Sequence, residues 1–271
     1  MTEAELVLTH VLNCDRLSLY LNKDVCLDRN KSVQVSAILK RRIIGEPLQY
    51  ILGSTEFMGY EFKVDKRALI PRPETEILIS SALEKLKSTG KTNQLKILDL
   101  GTGSGCIAVC LAKLLPQALI WATDVSWAAL QLAKENADLH KVKVKFLWGD
   151  IFGALEKDQK EFDLIISNPP YIAKQEFCGL AKEIFFEPVL ALEAGIDGTD
   201  FYRRIISQAA GYLKEDGFLI LEMGLGQRSA IEDILRKSKN FKVIEIIKDY
   251  NNIERVMVAG RSKSEILNPK L

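Results

Sequence analysis

The sequence predicts an α/β fold in which helices cover a mostly parallel, seven-stranded sheet, with a small helical region in front of it. Three observations carry this prediction. From about residue 95 onward, short apolar runs alternate with helical patterns, which indicates βαβ units and a parallel sheet. A glycine-rich turn joins the first run to its helix, as in Rossmann-like sheets. Residues 2–52 show helical spacing and no strand pattern.

The composition allows a sizeable core and excludes some classes of protein. Of 271 residues, 47% are hydrophobic and 27% are charged, which suits one large domain and a smaller one. The 37 basic and 36 acidic residues give a net charge of +1, so the overall basic character of many nucleic-acid-binding proteins is missing. No apolar run is long enough to span a membrane, and the acidic start at residues 3–5 is unlike a transit peptide. We therefore expect a cytoplasmic protein without membrane contact.

The cysteines and histidines predict neither a disulfide framework nor a metal site. Five cysteines without framework spacing fit a reducing compartment. Cys106 and Cys110 lie one helical turn apart, where we expect them in the core. His10 and His140 have no neighbours at metal-ligand spacing, so we predict that the protein binds no metal.

The helical pattern of the first region is strongest before Gly45, which is expected to end a helix. Its apolar residues recur at helix spacing: Val35, Ile38, Leu39 and Ile43. The basic residues at the end of this helix, Lys40, Arg41 and Arg42, allow two interpretations. They could face an acidic partner, or they could simply complement the helix dipole.

The next segment predicts a hairpin and a linking helix. Residues 57–64 alternate around Gly59 in the manner of a short β-hairpin. A helix is then expected from the proline-rich segment 71–76 to about Lys87, because proline and acidic residues favour a first turn. These patterns divide the chain into residues 1–55, 56–90 and 91–271.

The end of the chain completes the predicted sheet. Residues 217–224 indicate a fifth parallel strand, and a helix follows over residues 228–238. Two further strands, residues 242–247 and 255–259, are expected to close one edge.

The glycine-rich turn predicts a ligand site. It follows the apolar run 95–100 and opens a helix at Cys106, where glycines let the backbone approach a ligand closely. The next predicted strand ends in Asp124, a position that suits two ribose hydroxyls at the switch point of a doubly wound sheet. The alternative is a glycine turn that only packs a helix on a strand.

The charge around this turn argues against a dinucleotide. The Gly-x-Gly-x-Gly spacing lacks the two-residue gap of the dinucleotide fingerprint. Asp99, just before the loop, would repel a pyrophosphate but suits the ammonium and sulfonium charges of S-adenosyl-L-methionine. Asp124 and Asp150 add two more acidic strand ends, so we predict this cationic cofactor.

A second motif, Asn168-Pro169-Pro170-Tyr171, follows the apolar run 162–166. The prolines force the chain out of the strand because they cannot donate ladder hydrogen bonds. The Asn168 side-chain oxygen and a free carbonyl could then accept both hydrogens of a planar NH2 group, with Tyr171 as an apolar surface beside it. By itself the motif could also be a rigid turn.

Together these residues resemble the HemK/PrmC family of protein-(glutamine N5) methyltransferases. The resemblance covers nearly the whole chain and depends on the segments 42–53, 56–59, 69–76, 101–105 and 168–171. It implies a class I S-adenosyl-L-methionine-dependent methyltransferase. The implied substrate is the glutamine of the GGQ motif in class-1 peptide chain release factors, which act in translation termination. Residues 1–55 would bind this substrate, and residues 91–271 would form the catalytic domain.

The resemblance also implies a role for each site residue. The methionine end of the cofactor would be lined by Gly101, Thr102, Gly103, Ser104 and Gly105. Asp124 would hold the ribose, and Ile151 would lie beside the adenine. The target amide would be bound by Asn168 and Pro169 within the motif that continues to Pro170 and Tyr171, and Asn168 would also touch the cofactor.

Two other functions share part of this pattern. A nucleic-acid amino-methyltransferase acting on adenine N6 or guanine N2 would need the same amide-binding motif, residues 168–171, which we call the clamp. It would usually also need a basic groove or a base-flipping module. A non-catalytic S-adenosylmethionine-binding protein would keep the loop and lose the clamp. We expect a monomer that does not bind nucleic acid directly, and no dedicated general base.

Overall fold

The computed structural model describes residues 1–21, 26–91, 94–156 and 159–262. The predicted domain end at residue 271 therefore lies outside the described residues. No helix in these ranges is long and apolar enough to cross a membrane.

The N-terminal region is helical, as predicted. In its described residues, 1–21 and 26–55, the helices are α1 Glu3–Leu12, α2 Arg16–Leu21, α3 Arg29–Ile43 and α4 Leu48–Leu52. A capping box between Thr2 and Glu5 starts α1, because each side chain satisfies a backbone N–H of the other residue. The small core of the region is formed by Val7, Val11, Ile38 and Leu48.

The hairpin that follows has strands β1 Ser54–Phe57 and β2 Tyr60–Lys63. Both residues of its turn have positive φ, 53° at Met58 and 73° at Gly59, which is the type I′ geometry that matches the twist of paired strands. The Asn136 side chain accepts from the Lys63 amide at 2.8 Å and donates to the Lys63 carbonyl at 3.0 Å. The hairpin is thereby fixed to the α/β domain.

The predicted seven-stranded sheet is confirmed. Its strands are β3 Lys96–Leu100, β4 Leu119–Asp124, β5 Lys145–Trp148, β6 Phe162–Ser167, β7 Leu213–Glu222, β8 Phe241–Lys248 and β9 Glu254–Arg261. Their order in the sheet is β5-β4-β3-β6-β7-β9-β8. Strands β3 to β7 run parallel, and β9 is antiparallel to both of its neighbours. Strand β7 begins earlier than the predicted residue 217, because Leu213 already pairs with Phe162 before a register shift.

In the part of the chain that the structure describes, the sheet is flanked by helices α5 Pro73–Ser88, α6 Cys106–Leu114, α7 Trp127–Leu139, α8 Asp200–Ala209 and α9 Arg228–Ser238. Helices α5 and α6 contribute to one buried cluster and α8 and α9 to another, so both faces of the sheet are covered. Cys106 and Cys110 are buried, as expected for core cysteines. Because the sheet order reverses between β3 and β6, the loops after these strands diverge and leave a crevice.

The basic end of α3 forms intramolecular ion pairs. Arg41 pairs with Glu46 at 2.5 Å, and Arg42 pairs with Glu3 at 2.9 Å and with Glu183 at 2.6 Å. Neither sequence interpretation included these contacts, and the two pairs of Arg42 join residues that are 39 and 141 positions apart in the chain.

Candidate active site

A cleft of about 1030 Å³, partly open to solvent, lies at the carboxyl ends of β3, β4 and β6. Most of the predicted site residues line it: Gly101, Thr102, Gly103, Ser104, Asp124, Ile151, Asn168, Pro169 and Pro170. The structure thus brings together side chains from four separate segments, because parallel strands end at the same edge of the sheet.

The glycines of the loop have different surroundings. Gly101 has a φ of 70°, and a Cβ built there would meet no protein atom within 4 Å. The space beside it is therefore free for a ligand. Gly105 does not belong to the lining of the cleft; a Cβ there would come within 2.9 Å of the Ala133 Cβ. Gly105 was predicted to line the cofactor site, and the structure places it outside the lining of the cleft. A glycine is required there by the close packing of α6 on α7 and by a φ of 81°.

Four of the five backbone N–H groups of the loop, those of residues 101–103 and 105, are used by the protein itself. The amides of Gly101 and Thr102 both donate to the Thr123 carbonyl at 2.9 Å. The Gly103 amide donates to Asp124 Oδ2 at 2.8 Å, and the Gly105 amide donates to the Thr102 carbonyl at 2.9 Å. A phosphate site at a helix N-terminus needs such amides to be free. Their arrangement therefore argues against a pyrophosphate, as the glycine spacing does.

Two carboxyl groups lie at the loop without a cation among the described residues. Asp99 is fully buried and accepts from the Thr102 hydroxyl at 2.6 Å through Oδ2, while its Oδ1 has no partner. Burial, with a smaller contribution from repulsion by Asp124, raises the pKa of Asp99 to about 7. Burial also raises the pKa of Asp124. A positively charged ligand would stabilise both ionised forms.

The far wall of the cleft is apolar. Ile151 is buried and has a φ of 50°, an unusual value for a β-branched residue. Phe201 and Ile205 of α8 complete this wall. The sequence reasoning missed these two residues, although their spacing of four places them on one helix face. Asp150 forms an ion pair with Arg204.

The predicted clamp lies where two cavities meet. Asn168 and Pro169 line the main cleft and also a smaller cavity of about 450 Å³. Tyr171 lines only the smaller one. Burial raises the pKa of Tyr171 to about 12, so its hydroxyl stays neutral at ordinary pH. No described donor bonds the Pro169 carbonyl oxygen, which leaves it free for a ligand.

Two residues that the sequence reasoning did not assign contact the clamp or its partner: Thr75, which lines the main cleft, and Glu222, which lines neither cavity. The Asn168 Nδ2 donates to the Thr75 hydroxyl at 3.0 Å, and this hydroxyl donates to Glu222 Oε2 at 2.7 Å. Burial raises the pKa of Glu222 to about 7. The available signal was an acidic residue directly after the apolar run 218–221 of β7, next to the strand that precedes the clamp.

Comparison with known proteins gives the family. Residues 75–199 match the family described as Methyltransferase small domain, and residues 1–53 match the PrmC N-terminal domain. A release factor glutamine methyltransferase from Thermodesulfovibrio yellowstonii is 42% identical over 97% of this chain and 93% of its own. This chain belongs to the release factor glutamine methyltransferase family. A second relative of that name, from Chlorobaculum tepidum, is 40% identical over 93% of this chain and 87% of its own.

Membership of the release factor glutamine methyltransferase family confirms the resemblance and the enzyme class. The protein is an S-adenosyl-L-methionine-dependent methyltransferase of the class I fold. A solved 16S rRNA N2 methyltransferase from T. thermophilus, in complex with AdoMet and guanosine, has a TM-score of 0.55 and 20% identity. The match covers 77% of this chain and 50% of that one, and it shows the fold alone.

The cleft fits this cofactor. The amides of residues 101–103 and 105 are occupied, as a phosphate-free ligand allows. Asp99, whose Oδ1 has no partner, is buried beside the loop and does not itself line the cleft. Among the described residues, no group of three or more His, Cys, Asp or Glu side chains is placed to hold a metal ion.

Proposed function

We propose that this protein methylates the N5 side-chain amide nitrogen of the glutamine in the GGQ motif of class-1 peptide chain release factors. The observation that carries the proposal is the position of Asn168 and Pro169 at the junction of the two cavities. One cavity suits the methyl donor, and the other suits an uncharged side chain that reaches the donor from outside. The names of the family members support a release factor as the substrate.

The cofactor would occupy the larger cleft in one orientation. Residues 101–104 would line its methionine end, and Asp124 would accept hydrogen bonds from the ribose hydroxyls. Ile151 and Phe201 would enclose the adenine by apolar contact. When bound, S-adenosyl-L-methionine supplies an electrophilic methyl group on its sulfonium.

The clamp would make the amide nitrogen reactive by holding it. An amide nitrogen is a poor nucleophile because its lone pair is delocalised into the carbonyl. The Asn168 Oδ1 and the Pro169 carbonyl would accept its two N–H groups and so direct its face toward the methyl group. Orientation of bound reactants can supply about 7–11 kcal/mol of barrier reduction, whereas a general base gives roughly 3–5 kcal/mol. Positioning is therefore the larger contribution.

The smaller cavity would take the target side chain. Leu69, Tyr171 and Leu192 give it apolar walls, which suit the methylene groups of glutamine. Arg72 also lines it and is paired with Glu187 at 2.5 Å, so the cavity carries no unpaired guanidinium.

Residues 1–55 would form the substrate-binding domain, residues 56–90 the link, and residues 91–271 the catalytic domain. The apolar end of α3 supports the first assignment. Leu39 and Ile43 are 50% and 82% exposed, although they belong to the apolar pattern of the helix, and Ile44, directly after the helix, is 65% exposed. An exposed apolar patch of this kind suits a protein partner.

The proposal includes a monomeric enzyme that acts in the cytoplasm and has no direct contact with nucleic acid. The net charge of +1 supports the last point, because a nucleic-acid methyltransferase usually carries a basic groove. Family membership does not favour that alternative.

The test is methyl transfer from labelled S-adenosylmethionine to an unmodified release factor, followed by mass mapping. The same factor with its target glutamine replaced, and a DNA and RNA mixture, serve as alternative substrates. We expect label on that glutamine alone, lost in Asn168→Ala and kept in Asn251→Ala, an exposed asparagine. Label on nucleic acid, or cofactor binding without transfer, would overturn the proposal.

A further inference from the structure

Three side chains from distant segments form one hydrogen-bonded chain behind the clamp. Ser167 and Leu221 are partners in the parallel pair β6 and β7, so the next residues, Asn168 directly after β6 and Glu222 at the end of β7, are neighbours across the sheet. Thr75 reaches them from the first turn of α5. Thr75 and Glu222 are each 2% exposed, which keeps water from replacing either hydrogen bond.

The direction of these hydrogen bonds decides which end of the Asn168 amide faces the ligand. An ionised carboxylate only accepts, so the single hydrogen of the Thr75 hydroxyl goes to Glu222. The hydroxyl oxygen then has to accept, and its donor is Asn168 Nδ2. If the Asn168 amide were flipped, its Oδ1 would face the Thr75 oxygen, whose hydrogen is already donated to Glu222. The hydrogen bond would be lost, and buried polar groups would be left unsatisfied.

We propose that Glu222 and Thr75 are positioning residues that fix the Asn168 amide with its oxygen toward the substrate nitrogen. The inference rests on the proposed function, because a target NH2 group needs an acceptor at that point. A flipped Asn168 would present its own NH2 to the NH2 of the substrate, and two donors cannot bond.

Glu222 does not act here as a general base. Its side chain lines neither cavity, and Thr75 and Asn168 stand between its carboxyl group and the cleft. Its effect on the reaction passes through Asn168. An ionisable group behind the clamp was not foreseen from the sequence.

The decisive comparison is Thr75→Ser against Thr75→Val. Serine keeps the hydroxyl and loses a methyl group, whereas valine keeps the volume and loses the hydroxyl. We expect Thr75→Ser to retain kcat within about threefold. Thr75→Val should lower kcat by roughly 10- to 100-fold, the range known for lost supporting partners of metal ligands. Because Thr75 also lines the main cleft, kcat is measured at saturating cofactor.

A packing role predicts the opposite order, with valine tolerated better than serine in this buried site. A general base at Glu222 predicts a normal kcat in Thr75→Val, which keeps the carboxyl group. Either result would overturn the inference. Thermal unfolding of both variants shows whether a loss of kcat reflects a loss of folded protein.

Glu222→Gln gives a second, independent readout. We expect kcat to fall, by no more than in Thr75→Val, because a Gln amide can either accept from or donate to the Thr75 hydroxyl and no longer fixes its direction. The unfolding temperature should stay level or rise, because the substitution removes a buried charge. Burial raises the pKa of Glu222 to about 7, so wild-type kcat should decline as pH falls below that value and the carboxylate is protonated. Loss of this acid limb in Glu222→Gln would support the inference; an unchanged limb with wild-type kcat would contradict it.

Several titratable or charged groups on the elements around Glu222 either affect its pKa or have their own pKa affected by its charge. They are Glu74 on α5, Cys106 on α6, Tyr171 after the clamp, Tyr202 on α8 and Arg255 on β9. The pH profile is therefore measured at saturating cofactor and compared between Glu222→Gln and Glu74→Gln. An acid limb lost only in Glu74→Gln would assign the titration to Glu74 and contradict the inference.

The unmodified enzyme separates failure of the inference from failure of the proposed function. If wild-type protein does not label the release factor, the proposed function fails. If wild-type protein labels it and Thr75→Val does so equally fast, only the positioning role fails.

Discussion

The Arg42 Nη2 lies 2.6 Å from Glu183 Oε1, across a separation of 141 residues in the chain. This ion pair connects the end of α3 with the segment after the clamp. Ile184, the next residue, lines the smaller cavity. The N-terminal helices are therefore linked directly to a wall of the cavity that would take the substrate side chain.

We expect this ion pair to add little to stability and more to substrate binding. Its side chains are 26% and 42% exposed, and pairs of this kind contribute about 0.2–1 kcal/mol. A double-mutant cycle of Arg42→Gln and Glu183→Gln, followed by denaturant unfolding, should give a coupling in that range. The KM for the release factor should rise, with the cofactor Kd unchanged. Arg236→Gln, which breaks a pair within α9, is the control; an equal rise in its KM would contradict the prediction.

The two loop glycines should respond differently to alanine. Both have positive φ, 70° at Gly101 and 81° at Gly105, which costs an L-residue about 1–2 kcal/mol. Gly105→Ala adds a clash with Ala133, so we expect it to lower the free energy of unfolding by about 3 kcal/mol in total. Gly101→Ala should lose about 1 kcal/mol and at least about tenfold in cofactor affinity, because its Cβ would enter the ligand space. Unfolding curves and calorimetric titration measure both, and equal effects at the two sites would refute the distinction.

At pH values below neutral, the affinity for S-adenosylmethionine should increase as the pH rises. The pKa of Asp99 is raised to about 7, mainly by burial, and a cationic ligand favours the ionised form. Binding then releases a proton. Below pH 7, the Kd of S-adenosylmethionine should therefore fall by up to about tenfold for each unit by which the pH rises. Asp99→Asn should flatten this slope. Methylthioadenosine, which lacks the ammonium group, is the control ligand; the same slope for it would contradict the assignment.

The same shift predicts the stability of the cofactor-free protein. Folding raises the pKa of Asp99, so the folded state binds its proton more tightly than the unfolded state does. This contribution to stability is fully present below the unfolded pKa, and it is lost as the pH rises through the folded value of about 7. Asp99→Asn should therefore be more stable than the wild type at pH 8, and the gain should disappear at pH 4. Thermal unfolding at both pH values, without ligand, measures this difference.

Tyr171 should matter as a ring and not as a hydroxyl. Its raised pKa, about 12 because of burial, keeps the hydroxyl protonated, so it cannot accept a proton from the substrate near neutral pH. We expect Tyr171→Phe to keep kcat within about twofold and Tyr171→Ala to lose roughly tenfold or more, since the clamp loses its apolar neighbour. A large loss in Tyr171→Phe, measured by methyl transfer to the release factor, would show that the hydroxyl takes part.

Much of the fold follows from short segments of sequence. The hairpin around Gly59, the helix that starts after Pro71 and the strand that ends in Asn168 each carry their own signal. Other features carry no local signal. The early start of β7 at Leu213 depends on pairing with Phe162, and the apolar wall from α8 depends on how that helix packs over the cleft.

The sequence by itself determined the order of the elements, the glycine loop, the acidic strand ends and the clamp, because each is encoded within a few neighbouring residues. Only the tertiary structure decided that Gly105 serves packing while Gly101 faces the ligand space. It also decided that Asn168 meets Thr75 and Thr75 meets Glu222, across 93 and 147 residues. Those contacts depend on the order and register of strands in the sheet, which bring together side chains that no local pattern relates.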